Sequence, residues 1–202
     1  MPKRIFIAIK IRPSDQLISV YDKLRQSLQT DRIKWVVIGN LHVTLKFLGD
    51  VGEQLLPEII AVLKKVAKAY TPFEIKIKSI GKFSKKGHAK VIWLDIKDSG
   101  NNLASIATSL NNAYKLLGFN AGYKPFKAHL TLGRVKHIQN EHILNSFITN
   151  YSSQEIQKNT VEEIVIFESI LKNRKNKYIP IDIIKLRPPL IINLRQDFHS
   201  FS

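Results

Sequence analysis

The chain has 202 residues, 44% of them apolar, enough for one sizeable core or for one domain built as two lobes. It contains no cysteine, which excludes disulfides, thiolate metal sites and a cysteine nucleophile. Thirty-two Lys and Arg against 16 Asp and Glu leave a net charge of +16, spread along the chain, and such an excess favours a polyanionic partner, nucleic acid above all.

Residues 4–11 (RIFIAIKI) alternate and are rich in β-formers, which predicts a strand. Pro13-Ser14-Asp15 reads as a turn and N-cap, and Leu17, Val20, Tyr21, Leu24 and Leu28 then recur at helical spacing over 14–30. Residues 33–38 and 41–48 read as two strands, with Gly39-Asn40 between them suggesting a hairpin. A second amphipathic helix is predicted over 53–70, with Pro57 in its first turn, where a missing N–H is tolerated. Phe73, Ile75 and Ile77 alternate with charged residues in a half-buried strand, and a turn at 85–88 leads into a strand over 89–96. The helix that buries Leu103, Ile106, Ala107, Leu110, Tyr114 and Leu117 ends at Gly118, a good left-handed cap. Residues 122–127 read as loop, 128–135 as strand and 140–150 as a short helix. The strands over 160–171 and 178–186 close the pattern around a polar turn. Helices do not alternate one-for-one with strands, so an α+β fold with mostly antiparallel sheets fits better than a parallel doubly wound one.

One pattern occurs twice. His42-Val43-Thr44-Leu45 returns 87 positions later as His129-Leu130-Thr131-Leu132. In a strand, residues i and i+2 share a face, so each copy presents one imidazole and one hydroxyl on one side and two apolar residues on the other. One copy falls in each half and each precedes a helix, which suggests an internal duplication about an approximate two-fold axis. If that axis crosses a cleft, the cleft holds two imidazoles and two hydroxyls. A neutral His takes a proton from water, and a protonated His gives one to a leaving oxygen. Thr hydroxyls donate to non-bridging oxygens of a phosphoryl group held between them. With no Cys, and no carboxylate next to either motif His in sequence, a metal site is the weaker reading.

The paired motifs resemble those of the 2H phosphoesterase superfamily, and within it the RNA 2′,3′-cyclic phosphodiesterase family, also called 2′-5′ RNA ligase. The resemblance runs to about Leu186. It includes residues 4–9, Trp35, and residues 40–50 (NLHVTLKFLGD). It continues through Gly81-Lys82-Phe83, residues 91–94 (VIWL), residues 126–134 (FKAHLTLGR), and a weaker closing hairpin at 167–171 with Tyr178. It implies a bilobal α+β fold, with two antiparallel sheets related by a pseudo-two-fold, helices outside and a central cleft. Residues 1–187 would form one such domain, and 188–202 a C-terminal tail without a family counterpart. It further implies hydrolysis of an RNA 2′,3′-cyclic phosphate end to a 2′-phosphate, with no metal and no cofactor. His42 would be the proton donor and His129 the proton acceptor, although the two near-identical motifs do not themselves distinguish the roles. Thr44, Thr131 and Arg134 would bind the phosphate, with Arg134 off the His129 face unless the strand bends. Ala128 and Gly133 depart from the family's usual Pro and Ala, and Gly133 is expected to loosen the backbone beside Arg134.

Other residues are candidates on position alone. Lys46 shares the predicted face of His42 and Thr44. Phe126 and Tyr123 precede the second motif and could stack on a base, or simply pack. Trp35 and Trp93 read as core residues, and His88, His137, His142 and His199 as solvent-exposed. The partner expected is RNA with a 2′,3′-cyclic phosphate end, tRNA fragments included, acted on by a monomer. Without a membrane span or signal peptide in the pattern, the cytoplasm is the default. Three other readings stay open: an RNA-binding module without turnover, a phosphodiesterase of small cyclic nucleotides, and ligation of 2′-5′ RNA ends.

Overall fold

The alternating segments build two antiparallel sheets, and each carries one His-x-Thr strand. The computed structural model describes residues 2–120, 125–172 and 175–188. In chain order its elements are β1 (Lys3–Lys10), α1 (Asp15–Ser27), β2 (Arg32–Trp35), β3 (His42–Val51), α2 (Leu56–Ala67), β4 (Phe73–Lys85), β5 (His88–Lys97) and α3 (Asn102–Lys115). They continue with β6 (His129–His137), α4 (Glu141–Asn150), β7 (Glu155–Val161), β8 (Glu163–Lys172) and β9 (Lys175–Lys185). One sheet has the order β3-β1-β8-β9 and the other β2-β6-β5-β4-β7. The α+β class is as expected.

Local chemistry explains most boundaries. The Ser14 hydroxyl accepts the Leu17 N–H at 3.3 Å and starts α1. Pro57 sits in the first turn of α2. Lys86 and Gly87 both have positive φ, which matches a tight two-residue turn between β4 and β5. Gly118, at φ +83°, turns the chain away after α3.

Two expectations are corrected. Residues 33–38 and 41–48 do not form a hairpin: β2 pairs with β6 in one sheet and β3 with β1 in the other. Between them lies a 3-10 turn over Ile38–Asn40, which does not reverse the chain tightly. The Val36 N–H donates to the Leu132 carbonyl, and the Ile11 N–H to the Leu41 carbonyl, so this crossover laces the two sheets together. The second correction is β7, of which the pattern caught only the last two residues, as the start of the following strand. Ile156 and Val161 are its buried apolar residues, and it pairs only with β4 as an edge strand. These two apolar residues stand five apart, so the segment carries no period-2 pattern.

The duplication is visible in the pairing register. Along β1 and β3, Lys10 faces His42, Ala8 faces Thr44, Ile7 faces Lys46 and Phe6 faces Phe47. Along β5 and β6, Asp95 faces His129, Trp93 faces Thr131, Ile92 faces Gly133 and Val91 faces Arg134. The spacing is identical, and each motif strand has one extra residue at the same place, Leu45 in β3 and Leu132 in β6. The sheets differ at one edge, where β2 flanks β6 and no strand flanks β3 among the described residues.

The main core lies under the helices. It takes Ile5, Ile7 and Ile9 from β1, Val43 and Leu45 from β3, Ile92 and Leu94 from β5, and Leu130 and Leu132 from β6. Phe6, Ala8, Val165 and Phe167 form a second small cluster on the opposite face of their sheet, with Tyr178 packed against it. His42 and Thr44 belong to this second face, since their register partners are Lys10 and Ala8.

Candidate active site

Each motif histidine is oriented by the carbonyl two residues before it. Nδ1 of His42 donates to the Asn40 carbonyl at 2.6 Å, and Nδ1 of His129 donates to the Lys127 carbonyl at 2.7 Å. A carbonyl only accepts, so Nδ1 carries hydrogen in both rings and Nε2 is left for chemistry. The Asn40 side chain is held in turn, donating to the Asn176 carbonyl at 2.9 Å.

Aromatic rings from neighbouring strands wall each imidazole. His42 lies 5.1 Å from Phe6 and 5.1 Å, edge-on, from Tyr178. His129 lies 5.0 Å, edge-on, from Phe83 and 6.4 Å from Trp93. The Lys127 ammonium sits 4.2 Å over the Trp93 ring. Trp93 is buried as expected, but on the His129 side of its sheet rather than in the main core. Its indole lies over Gly81, where an added Cβ would come within 2.4 Å of the ring.

The environment of His42 includes charge from the second motif strand. Burial lowers the His42 pKa from its ordinary value; the hydrogen bond to Asn40 opposes this, while the charges of His129 and Arg134 lower it further. His129 and Arg134 belong to the other sheet, so their charges reach His42 across the gap between the sheets.

Arg134 is five residues past His129 and by simple alternation would point away from it. The extra residue at Leu132 reverses the alternation, and Arg134 pairs with Val91 on the face that carries Trp93 and Thr131. Gly133 at this bulge does not leave loose space. An added Cβ would lie 2.8 Å from Ile33 and 3.0 Å from Trp35, so β2 presses directly on the glycine.

The equivalent bulge at Leu45 overturns the expectation for Lys46. Lys46 pairs with Ile7 on the core face and is 5% exposed, turned away from His42 and Thr44. Its ammonium donates to Asn111 Oδ1 at 2.7 Å and to the Asn120 carbonyl at 2.6 Å. Phe47 takes the cleft-facing position instead, 64% exposed and 5.8 Å from Phe6. Phe126 is half-buried and packs against the main core. Tyr123 and His199 lie outside the described residues, as does the tail from residue 189. His88, His137 and His142 are exposed, as expected.

The sequence reading passed over Lys10, and Phe47, Phe83 and Tyr178 entered it only as part of the resemblance. Lys10 faces His42 across the sheet and lines a small cavity of about 50 Å³ with His42, Phe167 and Tyr178. Its alternating position in 4–11 was a usable signal. Phe47 needed the bulge. No three His, Cys, Asp or Glu side chains among the described residues are grouped so as to hold a metal ion.

The family pattern described as LigT like Phosphoesterase matches residues 9–93 and again 94–177, one match for each half. An RNA 2′,3′-cyclic phosphodiesterase of Archaeoglobus fulgidus is 35% identical over 168 residues, covering 83% of this chain and 92% of its own. A protein of the same name from Methanothermobacter thermautotrophicus is 30% identical over 188 residues, covering 92% of this chain and 100% of its own. The crystal structure of a Thermus thermophilus protein superposes with a TM-score of 0.69 at 24% identity, over 92% of this chain and 98% of that one. That of E. coli LigT in apo form gives 0.68 at 19% identity, over 93% and 99%. With the family pattern recurring in both halves and relatives of this identity spanning most of their length, the chain belongs to the LigT-like phosphoesterase family.

Proposed function

We propose that the protein hydrolyses RNA 2′,3′-cyclic phosphate ends to 2′-phosphates by paired histidine catalysis. The observation that carries this reading is the pseudo-symmetric pair of strands, each presenting a carbonyl-oriented imidazole and, two residues on, a threonine hydroxyl. The relatives named RNA 2′,3′-cyclic phosphodiesterase supply the substrate class, and the charge of +16 suits an RNA polyanion.

In this mechanism Nε2 of His129 takes a proton from water as its oxygen attacks phosphorus. The P–O3′ bond breaks, and Nε2 of His42 gives its proton to the departing 3′ oxygen. The 2′ ester remains, so the product carries a 2′-phosphate and a 3′-hydroxyl. Thr44 and Thr131 donate to the non-bridging oxygens, and the Arg134 guanidinium meets their charge. Phe47 offers an exposed flat ring on the His42 side, where a base can stack. Ligation of a 2′-5′ linkage follows the same path in the same direction, with a 5′-hydroxyl in place of water attacking phosphorus as the P–O3′ bond breaks.

The test is an oligonucleotide ending in a 2′,3′-cyclic phosphate, incubated with the protein in EDTA. The expected product is the 2′-phosphate, with turnover abolished by His42→Ala and by His129→Ala. An untouched end, or turnover that survives both substitutions, overturns the proposal. RNA binding that is sensitive to salt but indifferent to both substitutions would mark a binding module instead.

A further inference from the structure

We infer that Lys46 is a positioning residue that ties the strand bearing His42 to the connection that delivers His129; this rests on the paired-histidine reading above. Lys46 stands at the place in β3 that Gly133 occupies in β6. At Gly133 the space above the strand is filled by Ile33 and Trp35 of β2. No described strand flanks β3 on that side, and the Lys46 stem lies buried there instead.

Its head group then reaches into the other half of the duplication. Asn111 is on α3, and Asn120 lies just beyond that helix, nine residues before His129. Both contacts are short and neither partner is a carboxylate. Burial without a compensating negative charge lowers the pKa of the ammonium. A well-packed apolar residue of similar volume would serve at least as well if fold stability alone were at stake. What the two neutral acceptors add is geometry. One fixes α3 against β3, and the other fixes the backbone where the chain sets out for the second motif. Donor and acceptor histidines on separate strands must keep their spacing to a fraction of an ångström, and a misplacement near 1 Å costs about 100-fold in rate.

The experiment compares wild type with Lys46→Met, which keeps the apolar stem, and with Asn111→Ala, a milder change on α3. Steady-state kinetics on the cyclic-phosphate oligonucleotide are combined with amide hydrogen exchange. For Lys46→Met the expected result is a roughly 10- to 100-fold fall in kcat with KM within about 2-fold. Exchange should rise at residues 125–129 while the strands of both sheets stay protected. Asn111→Ala should show a smaller fall in kcat of the same kind, and the double variant should be no worse than Lys46→Met. Unchanged kcat in folded Lys46→Met overturns the inference. So does a rise in KM at constant kcat with a weaker salt dependence, which would make Lys46 a phosphate contact. If wild type itself fails to turn over, the functional reading falls while the exchange measurement still decides whether Lys46 holds the second motif. Should Lys46→Met not fold, Asn111→Ala with unchanged kcat and exchange overturns the inference alone.

Discussion

Arg134 and His129 face the same way from β6 although five residues separate them, because one extra residue at Leu132 reverses the strand's alternation between them. Arg134 pairs with Val91, Thr131 with Trp93 and His129 with Asp95, all along one face. A guanidinium, an imidazole and a hydroxyl are therefore presented together by one strand. Removing the guanidinium in Arg134→Ala is expected to lower kcat/KM by about 100- to 1,000-fold, the usual cost of losing one charge-stabilising donor at a reacting centre. Arg134→Lys should recover only part of this, since an ammonium lacks the planar fork. Steady-state kinetics of the two variants check it, and equal activities would show that the guanidinium does not touch the phosphate.

Gly81 is expected to control His129 without touching it. An added Cβ would press to 2.4 Å on Trp93, whose ring helps wall His129 and carries the Lys127 ammonium. Gly81→Ala should therefore destabilise the fold by about 1–3 kcal/mol, as overpacking does. It should also lower kcat in the fraction that remains folded. Urea unfolding paired with kinetics on the same preparations separates the two effects, and a stable variant with full activity would show that the ring yields freely.

Much of this was legible in the chain, and the reasons are physical. His42, Thr44, His129 and Thr131 share faces by simple alternation, which needs no tertiary information. The helices announced themselves through Leu17, Leu24, Leu63 and Leu110, all now buried. Alternation failed where a bulge intervened: it placed Lys46 in the cleft and left Phe47 out of it. The bulge at Leu45 has no marker in the sequence, because an extra strand residue looks like any other; at Leu132 the following Gly133 is a weak marker, since a glycine inside a strand often accompanies a bulge. The pairing of β2 was hidden for a different reason. Gly39-Asn40 resembles a hairpin turn, and only the partner across the sheet distinguishes a reversal from a crossover.

Burial of His42 has a consequence for stability. Its folded pKa is below the ordinary imidazole value of 6.5, with burial the largest cause. The unfolded chain therefore takes up a proton first as pH falls. The contribution favouring the fold is fully present above pH 6.5 and is lost as pH drops through the folded value. His42→Gln, which cannot take up that proton, should lose less stability than wild type between about pH 7 and 5. Denaturant unfolding across this range tests it, and parallel losses would mean that His42 does not titrate differently on folding.

The same depression sets one limb of the pH profile of activity. A general acid works only while protonated, so activity through it is lost as pH rises past its pKa. In the free enzyme burial holds His42 below 6.5, and the charges of His129 and Arg134 add to this while the Asn40 carbonyl opposes it. Whichever role His42 plays, the limb of kcat/KM that it sets should reflect that depressed value. A bound phosphodiester brings a negative charge between the sheets and raises the pKa in the complex. The same limb of kcat, which reports the complex, should accordingly lie at higher pH. Arg134→Ala removes one of the depressing charges and should move the kcat/KM limb to higher pH while lowering its height. Profiles of both parameters over about pH 5–9 check this, and coincident limbs would show that the phosphodiester does not reach His42. The roles themselves are read from a substrate whose 3′ oxygen is replaced by sulfur, which leaves without a proton. It should restore turnover to His42→Ala and not to His129→Ala, and the reverse would make His42 the base.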